Sequence, residues 1–128
     1  MADRASIQKT IDSYMAAFTA SDKEGWLSCF AEGAWIEDPV GTARRDGLGA
    51  LAAFWDETHA VPDTIELRPL GITTIIGDEA AFTMQARPSL GGETYAIDII
   101  DVMTFDGEAR ITTMRAFFDP ETMRPVAD

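Results

Sequence analysis

Apolar residues recur along the chain in two rhythms, and the change falls near Thr64. Before it, Ile7, Ile11, Met15 and Phe18 repeat at helical spacing, with Tyr14 and Ala17 beside them, which predicts an amphipathic helix ending near Ala20. Ser21, followed three residues later by Glu24, reads as a capping box opening a second helix. That helix carries Trp26, Leu27 and Phe30 and breaks at Gly33. Residues 34–38 read as a short strand stopped by Pro39 and Gly41, and Asp46 is placed to cap a third helix through Leu48, Leu51, Phe54 and Trp55. After Thr64 the stretches 64–76, 79–87, 93–105 and 109–118 are rich in β-branched and aromatic residues. Gly77-Asp78, Gly91-Gly92 and Asp106-Gly107 separate them, each a hairpin signal. Helices followed by an antiparallel meander predict an α+β fold, with helices packed on one face of a curved sheet. Pro69 and Pro88 mark bends or edges, and the segment after Pro120 reads as a loosely held tail.

Composition narrows the class. A chain of 128 residues suits a single domain, which buries roughly two thirds of its unfolded surface. The 46% hydrophobic content excludes a disordered sequence, and seven Phe with three Trp suggest a core of large side chains and an apolar pocket. A formal net charge of −12 repels phosphate backbones and anionic membranes; Arg44-Arg45 is the only adjacent basic pair, so neither nucleic acid nor a membrane is expected as a partner. The single cysteine, Cys29, excludes an intrachain disulfide and fits a reducing compartment. Residues 1–10 are polar, without the apolar region of a secretory signal, and no apolar run approaches the roughly 20 residues of a membrane helix. The expectation is a soluble cytoplasmic protein.

Carboxylates are the candidate chemistry. Alternation within 93–105 puts Tyr95, Ile97, Ile99, Asp101, Met103 and Phe105 on one face, with Asp101 its lone carboxylate. Among apolar neighbours desolvation favours the protonated acid, which is then a hydrogen-bond donor in a dry site. The same position also suits a buried Asp bonded to backbone, or one that a twisted strand carries to solvent. Asp38 closes the short strand on the side of Ala34 and Ile36, where a carboxylate over a pocket mouth stays ionised and can carry a proton. Taken alone, it reads more readily as a turn-initiating Asp before proline. Tyr14 lies close to the apolar stripe of the first helix, and its hydroxyl needs a partner whether it serves a site or only the core. Asp98 falls on the opposite face from Asp101. His59, the only histidine, sits at the end of the third helix, without partners for a metal or a Ser–His pair. Cys29 reads as a buried core thiol.

The stretch Trp35-Ile36-Glu37-Asp38-Pro39-Val40-Gly41 resembles the catalytic strand of bacterial ketosteroid isomerases (steroid Δ5-isomerases). So do Ile97-Asp98-Ile99-Ile100-Asp101-Val102-Met103-Thr104-Phe105 and Thr113-Met114-Arg115-Ala116-Phe117-Phe118. The likeness runs in order and spacing from about Ile7 to Phe118. It implies a cone-shaped fold of the nuclear-transport-factor-2 type, within the SnoaL-like superfamily, and a homodimer. It also implies Asp38 as a proton-shuttling base, Tyr14 and Asp101 as donors to an enolate oxygen, and no metal or other cofactor. The implied substrate is a steroid or another apolar ketone. It would lie against Phe54 and Trp55, Phe82, Met84 and Ala86, Ile97 and Ile99, and Met114, Ala116 and Phe118, most of which serve equally as ordinary core. Two departures from the family pattern stand out. Phe30 and Trp55 occupy places where some relatives extend the Tyr donor into a chain of tyrosines, and Arg44-Arg45 near the mouth bears on substrate entry. A polyketide cyclase-like enzyme or a non-catalytic binder of apolar ligands remains open on the same scaffold. The Asp-Arg-Asp relay of epoxide hydrolases of this fold is not apparent.

Overall fold

Helix and sheet meet along the apolar stripe of the first helix. The computed structural model describes residues 1–127. Helix α1 (Arg4–Thr19) buries Ile7, Ile11, Tyr14 and Phe18 on one side, as the spacing requires, and Asp3 caps it by accepting from Ser6 N. A short α2 (Lys23–Leu27) follows, then β1 (Phe30–Glu37), β2 (Arg45–Asp46) and α3 (Leu48–Ala60). The long strands β3 (Thr64–Ile76), β4 (Glu79–Leu90) and β5 (Glu93–Phe105) lead to β6 (Ile111–Phe117), a single 3-10 turn at Pro120–Thr122, and β7 (Arg124–Val126). Sheet order is β2-β1-β6-β5-β4-β3, with β7 on β5; β1 and β6 run parallel and the remaining pairs are antiparallel. This is the expected α+β arrangement, with three helices on one face of a curved, unclosed sheet.

Local details differ from the sequence reading where tertiary contacts decide. Asp22, not Ser21, caps α2, accepting from Gly25 N at 3.0 Å; Ser21 sits at φ 56° in the turn before it. A Cβ on Gly25 would stand 2.2 Å from Asp22 Oδ2, so only glycine lets this cap close. Phe30 and Gly33 belong to β1, because the parallel ladder to β6 claims Phe30 as a partner of Ile111. Asp46 is held in β2 opposite Trp35, so Gly47 opens α3 at φ 88° with no side-chain cap and donates its N–H to Ala34 O at 2.7 Å. The β3–β4 register shifts after Pro69, and the β4–β5 pairing skips Arg87 and Pro88, so both prolines fall at irregularities in the ladders. Tyr95 is half-buried while Thr94 and Ala96 are buried, reversing the expected alternation at the end of β5 where β7 pairs. The tail is thus tied down through Thr94–Val126, Tyr95–Pro125 and Ala96–Arg124 pairs.

Candidate active site

Register brings the acids together. Across the sheet, Phe82 of β4 faces Asp101 of β5, and Asp101 faces Ala116 of β6. In β1, Glu37 pairs with Arg115; Asp38 comes one residue later, on the side of Ala116, whose carbonyl accepts from Val40 N at 2.8 Å. The bond between Asp38 and Pro39 is cis. Asp38 and Asp101 therefore flank Ala116 on one sheet face, about two strand spacings or ~10 Å apart along the backbone. Tyr14 reaches the same region from α1, with Trp26 and Phe30 around its ring at centroid distances of 6.0 and 6.1 Å.

Between helices and sheet lies a cavity of about 180 Å³, partly open to solvent. Its wall is formed by Phe18 of α1, Phe54 of α3, Ile65 and Leu67 of β3, Met84, Ala86 and Pro88 of β4, Ile97 and Ile99 of β5, and Phe118, Pro120 and Met123 of the C-terminal stretch. The polar side chains in it are Tyr14, Asp38 and Thr58. Thr58 Oγ1 already donates to Trp55 O at 2.9 Å, leaving Tyr14 and Asp38 as the polar groups offered to a ligand. Asp101 is 0% exposed and does not line the cavity. It lies one row deeper than the Met84–Ile99 pair, and among the described residues neither of its oxygens has a hydrogen-bond partner.

The two carboxyls differ in proton state because they differ in depth. Burial pushes Asp101 well above the usual carboxylate range, and the charge of Asp38 adds to it. Asp38 is half-buried; burial lifts it to about 7, against the pull of the Arg45 guanidinium. Tyr14 is raised well above an ordinary phenol, first by burial and then by the neighbouring carboxyls of Asp101 and Asp38, which oppose a phenolate beside them at the alkaline pH where a phenol titrates. The Trp26 indole N–H leans the other way, although it reaches no full hydrogen bond with Tyr14 or any other described residue. At neutral pH the region thus holds a phenol, an un-ionised acid and an acid that titrates.

Of the residues named from sequence, Tyr14, Asp38, Phe54, Met84, Ala86, Ile97, Ile99 and Phe118 line the cavity. Asp101, Trp55, Phe82, Met114 and Ala116 do not: they are buried behind it. Trp55 turns away to stack on His59 at 3.8 Å, so the indole beside Tyr14 is that of Trp26. Phe82, Met114 and Ala116 belong to deeper rows of the sheet, level with Asp101 or its neighbour Met103. Asp98 lies on the outer face, accepting from Gln85 Nε2 at 2.9 Å. The sequence reading missed Phe18, Thr58, Ile65, Leu67, Pro88, Pro120 and Met123. Phe18 was within reach, since it shares the helix face of Tyr14; Pro120 and Met123 enter only because β7 folds the tail back.

Comparison with known proteins agrees with this architecture. The SnoaL-like domain family matches residues 11–114. A steroid Delta-isomerase from Nocardioides simplex is 31% identical over 119 residues, covering 93% of this chain and 94% of that protein. An epoxide hydrolase/cyclase-like enzyme, SalBIII, of pyran ring formation in the polyether salinomycin superposes with a TM-score of 0.87 at 23% identity, over 98% of this chain and 100% of that one. RV0760c from Mycobacterium tuberculosis does so at 0.83 and 22%, over 98% and 100%. A computationally designed 17-OHP binder follows at 0.80 and 24%, over 96% and 98%. The first comparison spans most of the chain and the second is close over nearly all of it: this protein belongs to the SnoaL-like family, alongside the steroid Delta-isomerase of Nocardioides simplex.

Proposed function

We propose that this protein is a steroid Delta-isomerase that moves the double bond of a 3-oxo-Δ5-steroid into conjugation. The observation that carries the reading is an apolar cavity lined by a phenol, Tyr14, and an acid that titrates near neutrality, Asp38, with a second acid raised by burial, Asp101, one row behind its wall. A hydrogen between a ketone and an alkene becomes removable when the resulting oxyanion is stabilised. Ionised Asp38 takes that proton. The electrons move onto the ketone oxygen, giving a dienolate, and Tyr14 and Asp101 direct O–H donors at it. Asp38 then returns the proton to the far alkene carbon, so atoms and charge balance within one substrate. A positioned base contributes roughly 10²- to 10⁴-fold, and each oxyanion donor about 2.7–4 kcal/mol.

Dimensions and lining support the reading. A dry cavity of roughly 150 Å³ takes a benzene-sized guest, so about 180 Å³ suits the reacting ring, with the remaining skeleton lying through the open side against Phe118, Pro120 and Met123. To meet Asp101, the ketone oxygen must pass the Met84–Ile99 row beside Tyr14; methionine, with its flexible thioether chain, is suited to yield there. The test is ultraviolet absorbance after adding 5-androstene-3,17-dione, since conjugation creates a new band. Turnover that Asp38→Asn nearly abolishes, with steroid binding retained, is expected. Unchanged turnover in Asp38→Asn would overturn the base assignment. A cyclase reading draws on the same acids, because an un-ionised Asp101 can protonate a departing oxygen; it would show as ring closure of a hydroxy-epoxide with no conversion of the steroid.

A further inference from the structure

The adjacent arginines end in unlike places. Arg44 pairs with Asp46 at 3.0 Å and lies over the Trp35 ring at 4.7 Å. Arg45 points the other way: Nη1 donates to Glu57 Oε2 at 2.6 Å, Nη2 to Glu57 Oε1 at 3.0 Å, and the guanidinium lies 5.1 Å over the Phe54 ring. Phe54 lines the cavity beside Asp38. Strand register brings them near one another: Arg45 pairs with Ile36, and Asp38 lies two residues beyond Ile36, just past the end of β1. Such diagonal neighbours stand about 7–8 Å apart at Cα, within reach of an arginine. Yet among the described residues the ion-pair partner of Arg45 is Glu57, and Asp38 has none.

We infer that Arg45 is a positioning residue for the base: a fixed counter-charge at the cavity mouth that favours ionised Asp38, while Glu57 holds the guanidinium off the carboxylate. The inference rests on the assignment of Asp38 above. A direct Arg–Asp fork would occupy both carboxylate oxygens and leave a poor base. The fork to Glu57 instead immobilises a planar cation at a distance, where it acts through the field alone. Other groups around Asp38 do not supply this charge. Tyr14 from α1 and Asp101 from β5 are un-ionised at neutral pH, and Phe118, Pro120 and Met123 are apolar. His59 of α3 is turned to the Trp55 and Phe18 carbonyls. Arg115 pairs at 2.8 Å with Glu37, which points away from the Asp38 side of its strand.

Two variants test this, each read by the carbon-13 NMR titration of the Asp38 carboxyl in the free protein and by the acid limb of kcat/KM for 5-androstene-3,17-dione. Arg45→Met keeps an apolar stem over Phe54; both midpoints should rise by about half a pH unit or more. The difference from wild type should shrink at ~1 M salt. Glu57→Gln frees the guanidinium to close on Asp38, so the midpoint should fall and the plateau rate should fall with it. Opposite shifts from two partners of one ion pair are not what loss of a merely structural contact gives. An unmoved midpoint in Arg45→Met, or shifts of the same sign in both variants, would overturn the inference. If the NMR midpoints move as stated while no steroid is converted, the counter-charge stands and the proposed reaction fails. If turnover depends on Asp38 and Arg45→Met leaves the midpoint in place, only the counter-charge fails.

Discussion

Replacing Asp101 by leucine should make the protein more stable and less active, and the stability gain should grow with pH. Asp101 is 0% exposed and neither oxygen has a partner among the described residues, so the fold retains its proton far above the range where an exposed carboxyl releases it. In the unfolded chain an Asp titrates near 3.9. The native state therefore binds more protons than the unfolded state, and stability falls as pH rises, by about 1.4 kcal/mol per unit for each retained proton. Asp38 acts in the same direction, but its contribution ends near its own midpoint of about 7. Glu37, Glu57 and Asp98 are lowered, so both of their states have finished titrating by about pH 6 and add little above it. Above about pH 8 the buried Cys29 thiol, raised to about 11, adds a slope of the same sign, which cancels in the difference between wild type and Asp101→Leu. Urea unfolding of wild type and Asp101→Leu at each pH should show a difference that widens by about 1.4 kcal/mol per unit. A constant difference from pH 5 to 8 would refute a protonated Asp101. The same variant loses an oxyanion donor and should turn over about 10²- to 10³-fold more slowly, the trade expected where function requires a destabilising group.

Other outcomes follow from the same arrangement. Turnover should rise with pH and level off above the Asp38 midpoint of about 7, because only the ionised base accepts the proton; a flat profile from about pH 5 to 9 would contradict this. Tyr14→Phe leaves the ring contacts with Trp26 and Phe30 in place, so kcat should fall by about 10²-fold or more at nearly unchanged stability, checked by initial rates beside a thermal melt. Met123→Ala should raise KM for a full steroid more than for a single-ring enone, since Met123 lines only the tail side of the cavity. A homodimer is expected as well. Ile72, Ile100 and Phe117 are 64%, 49% and 40% exposed, and Ile100 pairs with Phe117 on the outer sheet face. Light scattering should give twice 14.0 kDa, and Ile100→Lys should lower it.

Much of this was legible in the chain because it depends on periodicity. The stripe of α1 and the run Ile97, Ile99, Asp101, Met103, Phe105 on β5 are local patterns, and both are buried as read. What failed depends on partners far away in sequence. Ser21 and Asp46 have the chemistry of helix caps, but a turn at φ 56° and the β1–β2 ladder assign those places to Asp22 and Gly47. Trp55 and Phe82 satisfy the pattern of a pocket wall, yet packing turns one onto His59 and sets the other a row behind the cavity. The tail carries no periodic signal, and only its pairing with β5 brings Met123 to the cavity.

Alternation says which side of a sheet a carboxyl occupies, but not how deep along the strand it lies, and here depth separates the chemistry. Asp38 and Asp101 flank the same Ala116. One follows the last residue of a strand, partly buried; the other sits within β5, covered by β4 and β6 on either side. Desolvation scales with that cover, so the first can lose its proton near neutrality and the second cannot. Two ionised acids at one cavity would repel, and two neutral ones would leave no base. A single sheet face thus yields one acid of each kind through a difference in cover, and the remaining adjustment falls to Arg45, which pairs with Ile36 across the β1–β2 ladder and is held by Glu57.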